Sequence, residues 1–244
     1  MKSYLQDVVA HTSALGIIEL VKITGTDTAT LLDAMAEDRS VIVKATALKP
    51  LKEFSGVFGM PNLSKLNVLL NIPEYKDGAK IKVTTQTRNG EEVPSGLHFE
   101  NKQGNFKNDY RFMSTEVVND KLKSVTFKGA KWNVEFEPTA QNIQRLKFMI
   151  QANSEETTFV AKTDENGNLV FFFGDHSSHA GEFVFHEHTK GTLSKGFLWP
   201  IAVFNSILNL PGDKSVKFSD DGVAQIIVNS GVATYEYLLP AHQK

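Results

Sequence analysis

The chain has 244 residues, 41% hydrophobic and 22% charged, with a net charge of −2. That is enough for one large domain or two of ordinary size, and nothing in the overall charge announces a nucleic acid, so any DNA contact must come from a local patch. There is no cysteine, which excludes disulfides and thiolate metal sites and suits a reducing compartment. No apolar run is long enough to span a membrane, and the start Met1-Lys2-Ser3-Tyr4-Leu5-Gln6-Asp7 lacks a signal-peptide core, so the sequence predicts a cytoplasmic protein.

Residues 3–13 predict a helix with Leu5, Val8, Val9 and Thr12 on one face and Lys2, Gln6 and Ala10 on the other. Strands are expected at 17–24, 28–36, 40–48 and 54–60, and the last feeds a helix that Pro61 and Asn62 introduce. Strands at 79–87, 95–100 and 106–113 come next, with Asn89-Gly90 as a hairpin turn. Residues 114–124 are polar and lack clean periodicity, and they are expected to be a linker. A strand over 125–136 and a helix from Pro138 to about Asn153 open the second half, with Pro138 in the first turn and Ile143, Leu146 and Ile150 as the buried stripe. Strands at 157–163, 169–174 and 182–188, a helix led by Pro200, and strands at 214–219, 223–229 and 232–239 complete the chain.

One phrase occurs twice. Leu66-Asn67-Val68-Leu69-Leu70-Asn71-Ile72-Pro73 and Phe204-Asn205-Ser206-Ile207-Leu208-Asn209-Leu210-Pro211 match in Asn, Leu, Asn and Pro, 138 residues apart. The same offset sets Leu5, Gln6 and Val8 on Ile143, Gln144 and Leu146, so two helix pairs repeat together. Four short helices among many hairpin-like strands exclude a doubly wound sheet. The expected class is α+β: two similar domains, residues 1–116 and 117–244, each with two helices packed on antiparallel sheets.

No glycine-rich nucleotide loop, serine elbow or zinc-protease pair occurs, and the acidic residues form no obvious pair. The exception is a histidine cluster, His176, His179, His186 and His188. His186 and His188 would share one face of a strand, and with Gly181 upstream they resemble the cupin metal motif. The Glu that should follow is replaced by Thr189-Lys190-Gly191-Thr192, so the expectation is no metal and no cofactor. Phe171-Phe172-Phe173 and Phe183 with Phe185 are expected in a sheet core.

Phe58-Gly59-Met60-Pro61-Asn62-Leu63-Ser64-Lys65-Leu66-Asn67 resembles the strand-to-helix segment of the DNA polymerase sliding clamps. Gly231-Val232-Ala233-Thr234-Tyr235-Glu236-Tyr237-Leu238-Leu239-Pro240 is similar to their C-terminal strand and tail. Length and start are similar to those of the two-domain clamps of T-even-type bacteriophages. The resemblance implies a non-enzymatic processivity factor in an infected bacterial cell. It implies a homotrimeric ring of six domains around double-stranded DNA, and a DNA polymerase and a clamp loader as partners. The helices would line the hole, with Lys2, His11, Lys65, Arg145, Lys147 and Lys195 on the phosphates, while the fourth helix brings only Asn205 and Asn209. A partner pocket would take Met35 and Ile42 from domain one, Val117 and Val118 from the linker, and Tyr237, Leu238 and Pro240 from the tail. Pro240, unable to extend a ladder, would peel the tail off its sheet. The rival expectations are a cupin-like metal enzyme using His186 and His188, and a phage tail or baseplate protein.

Overall fold

In the computed structural model, residues 1–88, 90–123, 127–175 and 179–242 are described. The chain divides into two units, Met1–Thr126 with Ser230–Tyr235, and Phe127–Asn229 with Glu236–Lys244.

Unit one opens with α1, Lys2–His11, whose Leu5, Val8 and Val9 recur at helical spacing and are buried. β1 (Leu20–Gly25), β2 (Thr30–Met35) and β3 (Ile42–Ala47) form an antiparallel meander. β4 (Gly56–Pro61) returns beside β1 and runs into α2 (Leu63–Asn71). Asn62 turns that corner with φ of 55°, a left-handed conformation that Asn tolerates better than most residues. α2 buries Leu63, Leu66, Leu69 and Leu70 and packs beside α1. A second sheet has the order β5 (Lys80–Arg88), β6 (Glu91–Glu100), β7 (Lys107–Arg111). The expected hairpin joins Arg88 to Glu91 with Gly90 at φ 85°, while Asn89 lies outside the described residues.

Residues 115–121, expected within an irregular linker, form the helix α3 (Thr115–Lys121). Val118 is fully buried and anchors α3 on β4, where Gly59 leaves room for it. A Cβ at Gly59 would sit 2.8 Å from the Val118 Cγ2.

Unit two repeats the plan of unit one. Its elements are β8 (Val134–Phe136), α4 (Ala140–Ala152), β9 (Thr158–Thr163), β10 (Leu169–Gly174) and β11 (Ala180–His186). β12 (Leu198–Pro200), α5 (Ile201–Leu208), β13 (Asp213–Ser219), β14 (Val223–Asn229) and β15 (Ala233–Pro240) follow. α4, β9, β10, β11 and α5 begin 138 or 139 residues after α1, β1, β2, β3 and α2, so the offset seen in the helices extends to the strands. One sheet runs β11-β10-β9-β12, and β14, β13 and β8 are neighbours in another. Of the phenylalanine run Phe171 and Phe173 are core and Phe172, on the other face of β10, is half-exposed: Phe171 and Phe185 stack at 4.4 Å, and Phe159 and Phe204 close around Phe171.

Several boundaries differ from expectation. The strand expected over 125–136 is reduced to β8, and Val125 and Thr126 lie outside the described residues. Pro138 precedes α4 instead of starting it. Thr139 is the cap: its hydroxyl accepts from Asn142 N at 3.1 Å, and the Asn142 side chain accepts from Thr139 N at 2.9 Å. Of the expected stripe only Leu146 is buried, and Ile143 and Ile150 are half-exposed. His188 does not share a strand face with His186, because β11 ends at His186 and His188 has φ of 52°. His186 instead stacks on Phe136 at 4.9 Å, and burial pushes its pKa down. His176 lies outside the described residues, and no metal-competent cluster of three or more His, Cys, Asp or Glu exists among those described.

Within unit one, residues 230–235 lie beyond β3, and Leu48 N donates to the Val232 carbonyl at 2.9 Å. α1 grips this segment through Asp7. Its carboxylate accepts from the Tyr235 hydroxyl at 2.7 Å and from the Ser230 hydroxyl at 2.9 Å, and lies 3.3 Å from His11 Nδ1. Burial pushes the Asp7 pKa up, but hydrogen bonds from His11, Tyr235 and Ser230 outweigh it and hold the carboxyl below its usual value. A depressed carboxylate contributes stability above its unfolded pKa of about 4 and loses it as the pH falls through the folded pKa. Asp7→Asn is therefore expected to destabilise unit one by about 1–3 kcal/mol at pH 7. In urea titrations the gap between wild type and variant should shrink below about pH 4. A gap that stays constant down to about pH 2 would show that the carboxylate charge is not its source.

Candidate nucleic-acid interface

Each unit buries one stripe of its two helices and leaves the other stripe free. What the free stripes lack is acid. α1, α2, α4 and α5 together hold one of the chain's 28 Asp and Glu residues, Asp7, and hydrogen bonds inside unit one occupy its carboxylate. The same helices carry Lys2, Lys65, Arg145 and Lys147. An acid-free, amide-rich surface with a few cations suits a polyanion held through its backbone without being read.

The expected phosphate ligands differ in exposure. Lys65 on α2 and Arg145 on α4 are exposed, and Lys147 is half-exposed. The Arg145 guanidinium lies 5.4 Å from the centre of the Phe183 ring, which steadies it at the β11 side of the helix. His11 is a correction. It is 1% exposed, stacked on Tyr235 at 4.5 Å, and its ring cannot reach a phosphate. Its spacing from Tyr4 and Val8 on the helix gave the signal for burial. The Lys2 ammonium donates to the Tyr75 carbonyl at 2.5 Å and to the Lys76 carbonyl at 3.4 Å, so it fastens the start of α1. Lys195 is exposed in the loop before β12, its ammonium 6.0 Å from the Phe197 ring centre.

The repeated Asn pairs have a local role. Asn71 Nδ2 donates to the Asn67 carbonyl at 2.8 Å, and Asn209 Nδ2 to the Asn205 carbonyl at 2.7 Å. Each side chain adds a second donor to a carbonyl in the last turn of its helix: the Asn205 carbonyl already accepts from Asn209 N at 3.1 Å. Two residues missed by the sequence reading stand out on the free faces, Val68 on α2 at 64% exposed and Phe148 on α4 at 58%. The signal was available, since a residue two places after a buried one sits on the opposite side of a helix.

The expected pocket residues are dispersed in character. Met35 and Ile42 are half-exposed partners across the β2–β3 turn. Val117 is 45% exposed, while Val118 is buried under α3. Tyr237 and Leu238 are buried within β15, at 0% and 4% exposure, and Pro240 is exposed at its end. The tail does not peel away: Ala241 N donates to the Gly222 carbonyl and His242 N to the Leu198 carbonyl. Pro240 ends the strand without releasing the chain.

No protein-family model matches the sequence, and no curated protein matches it. The structure, however, is similar over its length to a PCNA of A. fulgidus solved with the C-terminal region of FEN-1 bound. The TM-score is 0.70 at 10% identity, covering 100% of this chain and 97% of that one. The PCNA of Thermococcus kodakaraensis gives a TM-score of 0.68 at 11% identity, covering 99% and 97%. The fold is that of the sliding clamps. Neither a cupin barrel nor a tail or baseplate protein is supported by these likenesses. Among the described residues no helix is long and apolar enough to cross a membrane.

The clamp fold leaves Leu238 a core position, so it is a poor probe of a docking site. Leu238→Asp is expected to destabilise unit two by upwards of about 3 kcal/mol, because a charge would be buried without a partner. Val117→Asp should change stability by no more than about 0.5 kcal/mol. Denaturant midpoints of the two variants check this, and a Leu238→Asp midpoint equal to wild type would contradict the burial.

Proposed function

We propose that this chain is a DNA polymerase processivity factor, a ring that encircles duplex DNA and tethers enzymes to it without catalysing a reaction. The observation that carries the reading is the full-length clamp fold combined with helix faces nearly free of acid. Lys65, Arg145 and Lys147 supply the phosphate contacts, and Lys195 adds one from its loop. Few cations on neutral amide surfaces give a weak, sequence-independent hold, which suits sliding.

Three copies, six clamp domains, would close the ring. The repeat supports where they join. β3 has residues 233–235 on its outer side, whereas its counterpart β11 ends its sheet, as does β7. Exposed strand edges invite pairing. We assign the junction to β7 of one copy against β11 of the next, a head-to-tail contact that closes by rotation. The division between the clamp domains, expected at 1–116 and 117–244, is better placed after α3, because Val118 fastens that helix to β4 of unit one.

The A. fulgidus clamp binds the C-terminal region of FEN-1. By analogy this chain would take a short peptide from its polymerase and other partners, and a loader would place it on DNA. The half-exposed Met35 and Ile42, with Val117 and Pro240, are the accessible members of the expected docking set. The bacteriophage origin, and work in an infected bacterial cell, belong to the same reading through the sequence resemblance.

The test has two parts. Light scattering across a micromolar dilution series should give the mass of three chains, and a monomer or dimer throughout would refute the ring. Changing Lys65, Arg145 and Lys147 together to Ala should keep that mass, weaken DNA retention and flatten its salt dependence, since fewer counterions are released. An unchanged salt slope would remove these residues from the interface.

A further inference from the structure

Phe148 is a large aromatic side chain on the exposed side of α4. α4 buries Leu146, and at 3.6 residues per turn Phe148 points about 200° away from it, to the middle of the free face. It is 58% exposed, the most exposed aromatic side chain among the large exposed hydrophobics. Gln141, Gln144 and Gln151 surround it on the same face, all exposed. Arg145 and Lys147 lie on either side, and α4 contains no acidic residue at all.

The chemistry of that surface narrows the occupant. An apolar protein partner would want further apolar neighbours around the ring, and this face offers amides and cations. Positive charge with no acid fits a polyanion. A paired duplex shows a helix face mainly phosphates and sugars, for which Arg, Lys and Gln are sufficient partners. An aromatic ring gains most from the π-face of a base that is not already stacked. One aromatic between two cations therefore matches a nucleotide whose base is unpaired, with its phosphates on Arg145 and Lys147.

We propose that Phe148 stacks on an unpaired base of single-stranded DNA, the strand that continues past the duplex at a primer–template junction. This rests on the ring reading above and adds a second, uncharged mode of holding to it. The phosphate contacts let the duplex slide, and the stack favours the junction, where a polymerase works.

The experiment measures fluorescence anisotropy of two labelled DNAs, a primer–template with a single-stranded thymidine overhang and a blunt duplex of the same length. The proteins are wild type, Phe148→Ala, Phe148→Trp and the double variant Arg145→Ala, Lys147→Ala, each checked for oligomeric mass. Phe148→Ala is expected to lose roughly tenfold in affinity for the overhang substrate, within the range for one base–aromatic stack. Its binding to blunt duplex, its salt slope and its mass should be unchanged, and Phe148→Trp should restore the overhang affinity. Equal affinity of Phe148→Ala and wild type for the overhang would overturn the proposal. So would an equal loss on blunt duplex, which would put Phe148 on paired DNA, or a lower mass, which would put it between copies. The two readings fail differently: a silent Phe148→Ala, or a wild type that binds neither DNA, sinks only the stack while the mass of three chains holds, whereas a wild type that stays a monomer or dimer sinks the ring as well.

Discussion

A helix laid on a sheet buries one stripe and frees the other, and two helices side by side free a broad face. Each half of this chain depends on that arrangement. In unit one, Leu5, Val8 and Val9 of α1 and four leucines of α2 go into the core. In unit two, Leu146 of α4 and Ile201, Phe204, Ile207 and Leu208 of α5 do the same. A buried leucine or phenylalanine contributes about 1.5–3 kcal/mol, so the buried stripes dominate the energetics and fix which stripes remain free. The free stripes are then open to selection for charge, and they are nearly without acid. The geometry that stabilises each half is also what presents its candidate DNA surface.

Periodicity made the helices legible, because their apolar positions are spaced for one-sided burial. It also gave the repeat, since the phrase ending at Pro73 and its copy ending at Pro211 sit on elements whose faces are constrained alike. Most strands alternate and were readable within a few residues. What failed was short or two-sided. α3 is seven residues long and held by one buried side chain, Val118, too little for a periodic signal. β15 buries Tyr237, Leu238 and Leu239 in succession, so both its faces are covered. A run of three apolar residues is the mark of such a strand, whereas the expectation of a free tail followed Pro240 alone. Thr139 and Asn142 form a capping box with Asn in place of the usual Glu or Gln, which hid the true start of α4.

The candidate site was legible in part for the same reasons. Lys65 and Arg145 are exposed because helix spacing sets them away from the core, and that is visible in sequence. His11 is not available, because Tyr235 from a distant segment stacks on its imidazole, and the half-exposed Lys2 ammonium is shared with the Tyr75 carbonyl. Such long-range partners leave no local trace. Identity of 10–11% with clamps of the same fold is intelligible on this view. Cores accept extensive hydrophobic replacement when volume and pattern are kept, and a surface that holds DNA without reading it constrains charge more than identity.

The central proposal is topological: that the protein holds DNA by surrounding it. The direct measurement is retention on a nicked circular duplex at moderate salt, with cognate loader, before and after a single restriction cut. The account predicts that the protein co-elutes with the circle and is released once the DNA has ends to slide off. Protein that stays bound to the linear DNA to the same extent would contradict it, because the hold would then come from surface affinity and not from encirclement.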